Sequence, residues 1–135
     1  MMQVETQSVA MKIMIVDDHS GIREMLRSLL TARGVDLAEC TDGRQAIAVY
    51  RDFKPDWVFM DNVMKELDGI SATRQLTCTF PGARVLVVSE DDIEQLRRAA
   101  RGAGAAGFVT KEHLLQALSQ NQAVPQLESL WLAPA

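Results

Sequence analysis

The chain has 135 residues, enough for one domain with its own core, and its 47% hydrophobic and 24% charged residues match a folded globular protein rather than a disordered one. A net charge of −4, from 14 basic and 18 acidic side chains, argues against a dedicated nucleic-acid binder. No apolar run approaches the ~18 residues of a membrane span, and the polar residues 1–10 lack the regions of a signal peptide, so a cytoplasmic setting is expected.

Residues 1–10 read as a flexible N-terminal extension, 11–119 as the folded domain and 120–135 as a C-terminal tail or linker. The first strand is predicted at 12–16, where Ile13, Ile15 and Val16 sit in a nearly continuous apolar run. Ile22, Met25, Leu26, Leu29 and Leu30 then follow one helical stripe. A second strand is predicted at 35–38 and a second helix around Ala46, Ile47 and Tyr50. Residues 57–60 form a third strand, and Ile70, Thr73, Leu76 and Phe80 a third helix. Residues 84–88, with Val85, Leu86, Val87 and Val88 unbroken, form a fourth strand. Ile93, Leu96, Ala99, Ala100 and Ala103 form a fourth helix, with Asp91 and Glu94 spaced as a capping pair. Residues 107–109 and the Leu114, Leu115, Leu118 stripe complete the series.

Continuous rather than alternating apolar runs suit strands covered on both faces. Strands alternating with helices therefore predict an α/β, doubly wound (βα)5 fold with a five-stranded parallel sheet. The two cysteines, Cys40 and Cys78, are far apart and have no CxxC partner, so they read as reduced thiols. The tail carries Pro125, Pro134 and an apolar cluster of Leu127, Leu130, Trp131 and Leu132, consistent with a linker, a partner-binding strip or a folded-back segment.

Sites in open parallel sheets form beyond the carboxyl ends of the strands. There the sequence places Asp17 and Asp18, then Asp61, then Ser89 followed by Glu90 and Asp91, then Thr110 and Lys111. Carboxylates crowded at one edge repel one another, and a hard dication such as Mg²⁺ offsets that repulsion through oxygen ligands. Alone, each residue has a structural reading: a helix cap for Asp17 and Asp18, a turn for Asp61, a solvated lysine for Lys111. Together, an acidic cluster, a lysine and a hydroxyl suit a phosphoryl group, and Asp61 can itself be the nucleophile.

These segments resemble the response-regulator receiver domain, the CheY-like (flavodoxin-fold) module of two-component signalling. The resemblance runs from Met11 to about Ser119. It rests on Ile13-Met14-Ile15-Val16-Asp17-Asp18-His19-Ser20, Val58-Phe59-Met60-Asp61 with Asp68-Gly69, Val85-Leu86-Val87-Val88-Ser89 and Gly107-Phe108-Val109-Thr110-Lys111. It implies a receiver spanning 11–119 that accepts a phosphoryl group on Asp61 from a histidine kinase or histidine phosphotransfer protein. It further implies Mg²⁺ bound by Asp18 and Asp61, with Asp17 acting through water and Val63 lending its backbone carbonyl. Lys111 would pair with a phosphoryl oxygen, Ser89 would be the switch hydroxyl and Phe108 the switch aromatic. Any enzymatic activity would be limited to slow self-catalysed phosphotransfer and dephosphorylation.

The sequence departs from the family pattern at Lys65, in place of a usual proline, at Glu90, in place of a small residue, and at Glu112, where proline commonly follows the lysine. Glu112 removes the main support for a cis bond after Lys111. Glu90 is expected to narrow access to Asp61 and slow phosphorylation. The Gly69-Ile70-Ser71-Ala72-Thr73-Arg74 run and Lys111-Glu112 resemble the NarL/LuxR-like group, so the chain is either a stand-alone receiver or the receiver half of a DNA-binding regulator. No nucleic-acid or membrane binding by this chain itself is expected, and a homodimer is compatible. Two alternatives remain: a phosphorylation-independent interaction module hindered by Glu90, and a Mg²⁺-dependent phosphohydrolase, which Asn62-Val63 after Asp61 disfavours.

Overall fold

Every connection between successive apolar runs carries a helix, so no two strands are joined as a hairpin and all pair in parallel. The computed structural model describes residues 10–64 and 67–120. Lys65 and the tail cluster from Leu127 to Leu132 lie outside those residues. The elements are β1 (Lys12–Val16), α1 (Ser20–Thr31), β2 (Asp36–Cys40), a 3-10 turn (Gly43–Gln45), α2 (Ala46–Phe53), β3 (Trp57–Asp61), α3 (Gly69–Thr79), β4 (Val85–Ser89), α4 (Glu94–Gly102), β5 (Gly107–Thr110) and α5 (Lys111–Ser119). The sheet order is β2-β1-β3-β4-β5, the predicted doubly wound arrangement.

The strand period of two divides the core between the sheet faces. Ile13, Ile15, Phe59, Leu86 and Val88 pack with Leu26 and Leu30 of α1 and Leu114 and Leu118 of α5. Met14, Val16, Val58, Met60, Val85 and Val87 pack with Ala46 of α2, Ala72 and Leu76 of α3 and Ala100 of α4. All five residues of β3 and of β4 are buried. None of the described helices is long and apolar enough to cross a membrane.

Strands β3 and β5 each run one residue further than predicted, β4 shifts by one to Val85–Ser89, and two further boundaries move with an identifiable cause. Strand β2 occupies Asp36–Cys40 rather than 35–38, because Val35 closes α1 through its N–H to the Leu30 carbonyl after Gly34 turns the chain at φ +78. Helix α4 starts at Glu94, with Ile93 as its N-cap and no side-chain cap bond. The predicted Asp91–Glu94 capping pair does not form, because that start leaves Asp91 two residues before the N-cap, where its backbone bonds the Ser89 hydroxyl. Real caps stand at α3, where Asp68 accepts from the Ser71 N–H, and at α5, where Thr110 accepts from the His113 N–H. No cis peptide bond occurs among the described residues, so the bond after Lys111 is trans, in line with Glu112 there.

Gly69 holds the end of β3 in place. Its N–H donates to the Asn62 carbonyl, and a Cβ there would lie 2.0 Å from the Asp61 carbonyl oxygen. The obstacle is backbone and cannot swing away. Gly69→Ala is therefore expected to lose about 2–3 kcal/mol in urea unfolding. Gly21→Ala, with nothing within 4 Å of its new methyl, should lose none.

Candidate functional site

Register brings the polar strand ends together. Val16 pairs with Met60, so Asp17 follows β1 beside Asp61 at the end of β3. Asp61 pairs with Val88, and Ser89 pairs with Thr110, so Ser89 and Lys111 stand next along the same edge. From here β1 leads to α1 on one face and β3 to α3 on the other, and their divergence opens the crevice. The backbone continues the sheet past the strands: Asp17 N–H donates to the Cys40 carbonyl and Asn62 N–H to the Val88 carbonyl.

Asp17, Asp18, His19 and Asp61 each direct one ligand-type atom into a space where all four lie within 4.8 Å of one another. His19 Nδ1 is 3.1 Å from Asp17 Oδ1, 3.1 Å from Asp18 Oδ1 and 3.7 Å from Asp61 Oδ2. The Asp61 side chain is 2% exposed, and its Oδ2 accepts no hydrogen bond. A buried carboxylate oxygen left in that state is costly unless something positive meets it. The donor set therefore fits a hard dication, with Asp17, Asp18 and Asp61 as oxygen ligands. Val63 lies beside them, its N–H donating to Asp61 Oδ1 at 3.3 Å while its side chain faces solvent.

Lys111 approaches from the other side, its Nζ 3.5 Å from Asp61 Oδ1. Glu90 Oε1 is nearer to that Nζ, at 3.2 Å, so the ammonium is shared between a buried and an exposed carboxylate. Burial alone would lower the Lys111 pKa, but Asp61, Glu90 and Asp17 outweigh it and raise it. Asp61 moves the other way from an ordinary carboxyl: burial, then repulsion from Asp17, push it up to about 6 against the opposing pull of Lys111.

Ser89 is buried and turned into its own loop, donating to the Asp91 carbonyl at 3.0 Å and accepting from the Asp91 N–H at 3.3 Å. Phe108 is buried on the α4 side of the sheet. The Arg97 guanidinium lies 5.1 Å from its ring centroid and forms a two-point pair with Asp92, at 2.6 and 3.1 Å. Beside the ring is a pocket of about 70 Å³ lined in part by Arg97, Ala100 and Ala105.

The structure thus gathers Asp17, Asp18, Asp61, Val63 and Lys111, with Ser89 adjoining and Phe108 behind it. Three contributors were not singled out from the sequence. His19 follows directly on two aspartates, and an imidazole in that position is the ligand-type signal that marks it. Arg23 donates to the Asp17 carbonyl at 2.7 Å and pairs with Glu39, fixing the β1–α1 loop from one helical turn away. Arg97 reaches Phe108 across an α–β contact that no local pattern announces.

Comparison with known proteins bears on the family and the fold. Residues 13–122 match the family model of the response regulator receiver domain. The chain is 37% identical over 101 residues to the chemotaxis protein CheY of Thermotoga maritima, covering 74% of this chain and 84% of that one. It resembles the crystal structure of a LuxR-family two-component response regulator from an Aurantimonas species, with TM-score 0.73, 31% identity and coverage of 93% and 96%. It also resembles a CheX–CheY–BeF3–Mg²⁺ complex from Borrelia burgdorferi, with TM-score 0.72, 26% identity and coverage of 82% and 87%.

The raised Asp61 pKa has a consequence for stability without metal. An unfolded aspartate titrates near ~3.9, so the folded chain holds the Asp61 proton more tightly. That contribution is fully present below about pH 4 and is lost as pH rises through about 6. Asp61→Asn should therefore be more stable than the parent by about 1–3 kcal/mol at pH 7.5 in the presence of EDTA, and the difference should vanish near pH 4. Paired thermal melts across that range check it.

Proposed function

The chain belongs to the response-regulator receiver family, and from that premise we propose that Asp61 is the residue that carries the phosphoryl group, received from a histidine kinase or histidine phosphotransfer protein. The chain is a two-component receiver, a signalling module rather than an enzyme with a diffusing substrate. The observation that carries the assignment to Asp61 is its position: among the described residues it is the carboxylate placed between the Asp17–Asp18 pair and the Lys111 ammonium.

In this reading an Asp61 oxygen attacks phosphorus, the bond from phosphorus to the donor imidazole nitrogen breaks, and its electron pair returns to that nitrogen, which takes up a proton. Hydrolysis of the acyl phosphate by water later restores the carboxylate. Asp17, Asp18 and Asp61, with the Val63 carbonyl, would hold Mg²⁺, which supplies charge neutralisation for the phosphoryl oxygens. Lys111 neutralises another oxygen once it releases Glu90. Slow self-catalysed turnover follows from the same groups.

Phosphorylation adds acceptor oxygens that compete with the Asp91 backbone for the Ser89 hydroxyl. Movement of Ser89 then alters the packing space available to Phe108, whose ring has a pocket beside it and Arg97 across it. The face formed by α4, β5 and α5 is the two-state element biased in this way. Phe108 has no hydroxyl, so its part in the signal is packing alone.

One observation favours the second reading, a phosphorylation-independent interaction module: Glu90 already occupies Lys111 at 3.2 Å. Acetyl phosphate with Mg²⁺ separates the two. Intact-mass spectrometry should find one added phosphoryl group on the parent and none on Asp61→Asn, and beryllofluoride with Mg²⁺ should perturb the Phe108 ring resonances in the parent alone. An intact fold with no response to either reagent would favour the second reading.

The Glu90 contact has its own test. Glu90→Ala frees Lys111 and removes an anion from the approach to Asp61, so the rate of labelling by acetyl phosphate should rise several-fold. An unchanged rate would show that the ion pair does not limit the reaction.

A further inference from the structure

We propose that His19 Nδ1 is a nitrogen ligand of the acidic site, giving this chain a binding site for a first-row transition dication such as Zn²⁺ in addition to Mg²⁺. The inference rests on the reading of Asp17, Asp18 and Asp61 as cation ligands and adds a donor of a different chemical kind.

The four ligand-type atoms of Asp17, Asp18, His19 and Asp61 lie within 4.8 Å of one another, close enough for one ion to reach all of them after small side-chain adjustments. A tetrahedral ion with ligand bonds of about 2.05 Å has ligand–ligand edges of about 3.4 Å. The three edges from His19 Nδ1 to the carboxylate oxygens measure 3.1, 3.1 and 3.7 Å. The contact with Asp17 Oδ1 also has hydrogen-bond geometry, but one such bond does not account for a nitrogen set against three carboxylates at once.

Among the described residues, the ring's polar contacts are with these carboxylates. His19 is the N-cap residue of α1, yet its side chain makes no cap bond, and the side chain is 58% exposed, outside the core. Its backbone is meanwhile fixed by a 2.8 Å hydrogen bond from its N–H to Asp17 Oδ1, which keeps the imidazole over the cluster. The Asp61 Oδ2 atom, buried and without a hydrogen bond, points into the same space and supplies the remaining vertex.

Donor type then sets the metal. Mg²⁺ prefers oxygen ligands and retains waters, so it gains little from a nitrogen. Imidazole suits zinc and its neighbours, for which a mixed set of carboxylates and one nitrogen is a better match. An imidazolium acting only as a counter-ion would produce similar contacts without metal, but it would oppose an incoming dication. The two roles predict opposite signs when the ring is removed.

The test uses the full chain and its His19→Asn variant, titrated with Zn²⁺ and separately with Mg²⁺ by calorimetry. In the parent, Zn²⁺ should shift the His19 Nδ1 nitrogen resonance stoichiometrically, with His113, the other histidine, as the internal reference. His19→Asn should weaken Zn²⁺ at least about tenfold and change Mg²⁺ less than twofold. Equal or tighter Zn²⁺ binding by the variant, or an unmoved His19 resonance at saturation, overturns the proposal while leaving the receiver reading intact. Failure of the parent to bind Mg²⁺ overturns both. The ring spectra of the parent need no variant, so the result does not depend on how His19→Asn folds.

Discussion

The constraint the rest of the site answers to is the burial of Asp61 beside Asp17, both held at the ends of adjacent strands by the same ladder that builds the sheet. The apolar strands that bury Asp61 also strip it of water, and burial is the larger of the two pressures on its proton. A site built this way is unstable on its own account. It is relieved by a proton, a nearby lysine, an imidazole or a dication, and each relief corresponds to a different chemical state of the protein.

Lys111 shows how such a site communicates. One ammonium touches the buried Asp61 and the exposed Glu90, so a change at the first alters what holds the second. Ser89, one residue before Glu90, is bonded to the Asp91 backbone, and the loop then leads to Asp92, whose pair with Arg97 sets a cation over Phe108. These contacts connect the acidic site to α4 and β5 through neighbouring groups rather than through a long-range effect. They are carried by a loop and two helix positions, which are cheaper to rearrange than the five-stranded sheet.

The fold was legible because local patterns and global architecture agree. The unbroken apolar runs of β3 and β4 reported burial on both faces, and the stripe from Ile22 to Leu30 reported a helix on one of them. The failures came where a backbone group bonded to a partner that the periodic pattern does not report. Asp91 has the spacing of a cap, but its backbone goes to Ser89 and α4 begins later without one. Val35 reads as strand, but it serves to close α1. Capping preference and β-propensity both gave way here to short-range hydrogen bonds, within the β4–α4 loop in one case and at the end of α1 in the other.

For the site, residue types and strand ends were enough to select Asp17, Asp18, Asp61, Ser89 and Lys111, since in a parallel sheet the carboxyl ends of all strands lie on one edge. Composition and hydropathic period therefore determined the class of fold, the edge that bears the chemistry and the charge of the groups on it. Only the tertiary structure decided that the imidazole of His19 faces three carboxylates, that Glu90 turns to Lys111 and that Arg97 covers Phe108. Those choices depend on side-chain directions and on distances between separate segments, which a linear pattern of polar and apolar residues does not encode.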